Sequence, residues 1–322
     1  MTNRLQSVVQ AAVWAPSLHN TQPWSFVIED EEIRLRADTG RRLRVSDPRG
    51  RELMLSCGAA LFNMRIALRA LGREAVVRVL PDPDRPVVLA TVREGEPCEP
   101  DERTRLLHAE IVRRRTHRAG FAHLPIPGPL LDALVRQAEQ EGARLTFVGS
   151  EPVVRVLAAL TAAAEEVQEQ DRALSLELAR WSRPPGTRHS DGVAPHAYPS
   201  APRRTYPHFS QRDYAHGHAW GSHDDQRAAT STGRVALLTT PGDEPGDWIV
   251  AGQALQRALL YASAHGVGAA FHTQALEHGH LRAFIRQEVC SGEHPQMIMR
   301  LGYPLTEAAA VRRPISEVLD RR

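Results

Sequence analysis

The 322-residue chain is 42% hydrophobic, enough to bury one large core or two smaller ones. Its 40 basic and 38 acidic residues leave a net +2, which gives no field that argues for nucleic acid. All the basic residues are Arg; without Lys there is no Walker-type phosphate loop and no lysine Schiff base, so Arg, helix N-termini or backbone amides must hold any anion. Cys57, Cys98 and Cys290 are too few and too scattered for a disulfide framework or a zinc site. The N-terminus has no apolar signal core and no apolar run reaches about 18 residues, so the expectation is a cytoplasmic protein without a membrane span.

In chain order, the amphipathic run 5–12 predicts a helix and the alternating run 24–28 a strand. Between them lies APSLHNTQPW (15–24), where Pro16 and Pro23 fix the backbone around Ser17, Asn20 and Gln22. Such a loop suits ligand contact, and equally an ordinary capped turn in which Ser and Asn bond their own backbone. A tight acidic turn and a second strand follow. Residues 50–72 predict a long helix, apolar nearly all round and closed by Gly72, which belongs in a core. Two strands, 74–80 and 87–93, precede an acidic, proline-containing linker at 95–102, the first candidate domain boundary.

A helix from Glu102 is predicted to run into Arg113, Arg114, Arg115, Thr116, His117 and Arg118. Pro125, Pro127 and Pro129 interrupt the chain before a helix at 131–141 and a strand at 144–148. Here the first half recurs: 131–138 matches 5–12 at an offset of 126, and 145–148 matches 24–27 at 121, so the second copy lacks five residues of the loop. Gly252, Ala254, Leu255 and Gly266 then fall 194 residues after Gly58, Ala60, Leu61 and Gly72. Three elements matched in one order predict a tandem α+β fold of two antiparallel-type sheets flanked by helices, with halves at 1–95 and 96–322. Such a chain is an obligate dimer fused into one polypeptide, a monomer acting as an intramolecular dimer.

Residues 182–233 are rich in Pro, Arg and His with little apolar periodicity, and predict a long loop or lid anchored by Tyr206, Phe209, Tyr214 and Trp220. Its histidines, His216 and His218 among them, lack ligand spacing and acidic or Cys partners, which argues against a metal. The Arg113–118 run lacks interleaved aromatics for stacking nucleic acid. Arg beside Thr suits a single phosphate better, because the guanidinium fork bonds phosphate oxygens in pairs and Thr adds a hydroxyl. Arg312 and Arg313, after a predicted strand at 296–301, form a second basic cluster able to converge on the same anion.

RRTHRAGF (114–121) resembles the phosphate-end motif of the nitroreductase family, and APSLHNTQPW resembles that family's loop reaching the flavin from a partner subunit. GVGAAFHTQ, PQMIMRLGYP and VRRPISEV are similar to its C-terminal stretches, in order. The nearest form is the fused, double-length branch often called the Acg family. This resemblance implies one FMN held between the halves: Arg114, Arg115, Thr116, Arg312 and Arg313 at the phosphate, Arg118 at the pyrimidine edge of the ring, Ser17, Asn20 and Gln22 from the first half, and the backbone near Thr273 and Gln274 beside the reactive nitrogen. It implies hydride from NAD(P)H passing to a small-molecule acceptor with no catalytic side chain required, or, alternatively, a lid-blocked flavin that is sequestered with little turnover. Leu18 departs from the small polar residue common in that loop.

Overall fold

The computed structural model describes residues 2–200, 205–222, 231–306 and 309–320; the stretches 201–204 and 223–230 of the predicted lid lie outside them. Helix α1 (Thr2–Ala12) buries Leu5, Val8, Val9 and Ala12, a stripe at helical spacing. Strands β1 (Trp24–Glu29) and β2 (Glu32–Ala37) form a hairpin whose turn residues, Asp30 and Glu31, are both left-handed. Strands β3 (Arg73–Val79) and β4 (Val88–Pro97) join them in a sheet of order β3-β4-β2-β1-β9. Its last strand, β9 (Leu319–Asp320), is the end of the chain pairing parallel to β1.

The second sheet, of order β5-β6-β8-β7, is antiparallel throughout. It contains β5 (Arg144–Phe147), β6 (Arg234–Thr240), β7 (Gly268–Phe271) and β8 (His294–Gly302). Both sheets pack against a central helix pair, α2 (Arg51–Ala70) and α7 (Pro245–Ala264). Asp47 accepts from the Leu53 amide at 2.9 Å to cap α2, and a reciprocal Glu244–Asp247 box caps α7. The two helices touch backbone to backbone. A Cβ built on Gly58 would lie 2.3 Å from the Ile249 carbonyl oxygen, and one on Gly252 would lie 2.0 Å from that of Leu55. The contact is reciprocal, because Leu55 and Gly58 precede Ile249 and Gly252 by the same 194 residues. By length and composition α2 is apolar enough to cross a membrane, yet 78% of its apolar window is buried inside the fold.

Several elements differ from the sequence expectation. Strand β4 runs through the acidic stretch to Pro97, and the Cys98 amide still donates to Gly72, which narrows the linker to the residues just before Asp101. Helix α3 (Glu102–Glu110) stops short of the arginines. Backbone pairing takes over from the helix: Thr116 bridges to Ala269 and the His117 amide donates to the Ala269 carbonyl at 2.8 Å, setting 114–118 beside β7. Pro129 starts α4 (Gly128–Glu139) where an interruption was expected, since its missing N–H costs nothing in a first turn. Helices α5 (Glu151–Gln170) and α6 (Arg172–Trp181) were not anticipated. Short helices α8 (Gln274–Glu277), α9 (Gly279–Glu288) and α10 (Ile315–Val318) complete the described set. Of the predicted aromatic anchors, Phe209 and Tyr214 are buried and Trp220 stacks on His218, while Tyr206 is 82% exposed and is held through its backbone bridge to Ser231.

Candidate functional site

Two adjoining cavities share Pro16, Ser17, Thr116 and Arg118. The larger encloses about 880 Å³, partly open to solvent. Glu52, Leu55 and Ser56 of α2 line it, with Leu255 of α7, Met297 of β8, and the run from Ala270 to Gln274 that leaves β7. Tyr198, Gln211, Arg212 and Tyr214 of the 182–222 segment close the ring of lining residues. The smaller, about 420 Å³, adds Asn20, Arg312 and residues 192–194.

The 15–24 loop gets its shape from three residues in the left-handed region, His19, Asn20 and Gln22, at φ 49°, 54° and 49°. Only Asn adopts that region readily, so His19 and Gln22 are held there at a cost of about 1 kcal/mol or more each. What holds them is hydrogen bonding. Ser17 Oγ accepts from the Gln22 amide at 2.9 Å, so Ser17 caps the turn and also lines both cavities. Asn20 Nδ2 donates to the carbonyls of Gly192 and Val311, and its Oδ1 accepts from Arg312 Nη1 at 3.0 Å. Gln22 is fully buried: its Nε2 donates to the Ser190 carbonyl at 2.8 Å and its Oε1 accepts from the Arg313 amide at 2.8 Å. Gln22 therefore ties three segments together and lines neither cavity.

The arginines divide. Arg114 and Arg312 both donate to the Trp14 carbonyl, at 3.4 and 3.3 Å, and Arg115 and Arg312 lie over the Trp14 ring at 4.8 and 5.6 Å. Arg114 is buried with its Nε and Nη1 unpartnered, and Arg312 Nε is likewise buried without a partner. Burial pushes the Arg114 pKa down to about 9, with Arg115 and Arg118 adding repulsion. Burial also lowers that of Arg312, again with Arg114, Arg115 and Arg118 acting against its charge. Among the described residues no carboxylate pairs with Arg114 or Arg312. A guanidinium stays charged at neutral pH, so the strain is an unmet demand for an anion. Arg118 lines both cavities and lies 5.7 Å over the Tyr214 ring. Arg313 stands apart, 3.6 Å from Asp38 and 3.5 Å from Glu317, where it ties the last helix to the first half.

Thr273 and Gln274 line the larger cavity, but their side chains are engaged: Thr273 Oγ1 donates to Glu277 at 2.8 Å and Gln274 Nε2 to the Ser210 carbonyl at 3.2 Å. His272 is neutral, its pKa lowered by burial and then by Arg300; its Nε2 accepts from Arg300 Nε at 2.8 Å. Glu52 is buried with Oε2 unpartnered, and burial lifts its pKa to about 8; Arg51, 2.7 Å away, opposes the shift without cancelling it, while Glu277 and Asp47 add to it. Trp14, His19 and Glu52 were missed by sequence reasoning, and Tyr214 was picked out only as an anchor of the 182–233 segment. His19 stood inside the quoted loop, Trp14 one residue before it, and Glu52 read as an ordinary acid at a helix start. Nothing local tells that the Tyr214 hydroxyl meets His19 across 195 residues.

No protein-family model matches the chain. Curated relatives do. "Putative NAD(P)H nitroreductase Rv3131" of Mycobacterium tuberculosis is 32% identical over 323 residues, covering 98% of this chain and 91% of the relative. The chain belongs to the nitroreductase-like family. "Putative NAD(P)H nitroreductase acg" of the same organism is 31% identical over 327 residues, covering 100% and 96%. Solved structures stand further from this nitroreductase-like chain. The FMN-dependent nitroreductase NfnB of Mycobacterium smegmatis, in complex with NADPH, is 16% identical, with 68% of this chain and 98% of that one covered at a TM-score of 0.39. A nitroreductase of Desulfovibrio desulfuricans in complex with FMN is 13% identical, covering 67% and 96% at 0.37. The family shown by these relatives goes here with a mixed α+β architecture of two sheets, and Arg118 lies where the smaller, Arg312-bearing cavity meets the mostly apolar larger one.

Proposed function

We propose that the chain is an FMN-binding oxidoreductase of nitroreductase type, which takes hydride from NAD(P)H and passes it to an oxidised small-molecule acceptor. The observation that carries this reading is the arginine pair Arg114 and Arg312, which meet at the Trp14 carbonyl with buried, orphaned nitrogens, Arg312 lining the smaller cavity that adjoins a chamber of roughly cofactor size. These residues fit FMN. Arg114, Arg115, Arg312 and Thr116 would hold its phosphate, and Leu55, Leu255, Met297 and the 270–274 run would line the space for its ring system. When bound, FMN supplies two-electron hydride acceptance and donation. The chain's own part is to bind, orient and exclude water. Arg118 stabilises negative charge at the ring's edge, and Asn20 holds Arg312 in place while Gln22 and Arg313 fix the loop from behind.

The reading extends to architecture: two halves, 1–95 and 96–322, form a tandem pseudo-dimer in the cytoplasm, with 182–233 as a lid. Support comes from the reciprocal Gly58 and Gly252 contacts and from the equal 194-residue spacing of α2 and α7. One flavin per chain follows, because the first half has no Arg-Arg-Thr segment and the second has lost the Ser-Asn-Gln loop. A second reading, flavin sequestration, is favoured by the latching of the lid. Asp191 bonds Arg41 at 2.8 Å, and Asn20 and Gln22 both bond backbone at 190–192. Stopped-flow mixing of the purified yellow protein with NADH or NADPH separates the two. Bleaching of the flavin absorbance supports turnover; bleaching by dithionite alone supports sequestration, and a colourless protein that takes up no added FMN sinks both.

A further inference from the structure

The strained loop carries more than its share of the cofactor pocket. His19, buried and left-handed, places its Nδ1 2.9 Å from the Tyr214 hydroxyl, and both residues line the larger cavity. His19 also lines a second, polar cavity of about 700 Å³ on the other side, with Glu165, Glu169, Glu177, Asp213 and His216 around it. The side chain thus bridges a largely apolar chamber and a hydrophilic one. Beside the pair, the Tyr198 hydroxyl is buried without a partner, its ring 5.8 Å from that of Tyr214.

We propose that Tyr214 and His19 form a proton-delivery pair for the acceptor, supplied from the polar cavity. The proposal rests on the oxidoreductase reading above. An oxygen-bearing acceptor, such as a quinone, that has gained a hydride equivalent is an oxyanion and needs one proton. Tyr214 Oη breaks its O–H bond and gives that proton to the substrate oxygen; His19 Nδ1–H reprotonates the tyrosinate, and His19 Nε2 takes a proton from water in the polar cavity. Net, one proton moves from solvent to substrate and both side chains end neutral, His19 returning to its first tautomer by exchange with water. Tyr198 is positioned to donate to the same oxygen.

The electrostatics suit a neutral relay. Burial lowers the His19 pKa well below 6.5, helped by Arg212 and Arg118. Burial raises that of Tyr214, with Arg118 and Arg212 opposing and Glu165 adding to the rise. At pH 7 the resting pair is therefore imidazole and phenol, able to pass a proton without first forming an ion pair. The other ionisable groups around it are Glu52, His117 and His272 of the larger cavity, Glu277, which pairs with Arg212, and Asp213, Glu169, Glu177 and His216 of the polar cavity.

The test uses full-length protein with ring-15N-labelled histidine, as wild type, Tyr214→Phe and His19→Gln. In the wild type at pH 7 His19 is expected to be neutral and locked in one tautomer, and Tyr214→Phe is expected to release it. A charged His19, or equal tautomer exchange in both proteins, overturns the pair. For the proton step, dithionite-reduced protein is mixed with 1,4-benzoquinone. Tyr214→Phe is expected to slow reoxidation at least about 10-fold and to abolish its slowing in D2O, with His19→Gln intermediate. Unchanged rates in Tyr214→Phe overturn the relay while leaving the oxidoreductase reading intact. A wild-type chain that binds no FMN defeats that reading instead, and the relay with it.

Discussion

At the residue scale, function and stability pull apart at Arg114. Its orphaned nitrogens make it costly in the flavin-free chain and, on the proposed reading, valuable in the bound one. Arg114→Ala is expected to weaken FMN binding by about 2–3 kcal/mol, roughly 30- to 150-fold, while leaving the flavin-free chain as stable as before or more so. Fluorescence titration and thermal melts of both forms check this. Arg313→Ala is expected to do the reverse, lowering stability by about 1 kcal/mol through the loss of Asp38 and Glu317 while changing FMN affinity little. Glu52 gives a pH dependence. Its pKa is raised from 4.5 to about 8, mainly by burial, so between those values the folded chain keeps a proton the unfolded chain has released. Its contribution is intact below pH 4.5 and is lost as the pH rises towards 8. Glu52→Gln is expected to gain about 1–2 kcal/mol at pH 8 and nearly nothing at pH 4.5, read as melting temperature at the two values. That Arg114 sits in a basic cluster beside a Thr was legible from the sequence. That Gln22 and Arg313 serve the scaffold was not, because a side chain's partner depends on segments nearly 300 residues away.

At the element scale, the crossing of α2 and α7 decides the shape of the cavity, since Leu55 and Leu255 reach it from the two helices. Backbone contact at Gly58 and Gly252 leaves no room for a methyl group. Gly252→Ala is expected to cost about 3 kcal/mol or more, and Gly58→Ala a similar amount. The double variant is expected to lose less than the sum, because separating the helices once relieves both clashes; denaturant unfolding of the three proteins measures it. Helices α2 and α7 were readable from their glycines and apolar faces. The end of α3 was not, since the helical pattern of 102–118 competes with backbone pairing to β7, a partner about 150 residues later in the chain.

At the scale of the whole molecule, the asymmetry of the two halves predicts that FMN titration saturates near one equivalent per chain, and a second equivalent overturns the tandem account. The sequence by itself determined the α+β class, the central helices, the two basic clusters and the family, because these depend on periodicity, composition and contiguous motifs. Tertiary structure alone decided which arginines lack counter-charges, that the last strand returns to the first sheet, and that Tyr214 meets His19. Each of these is a matter of who is buried beside whom. Burial sets both the cost of a charge and the worth of its partner, and no local pattern encodes it.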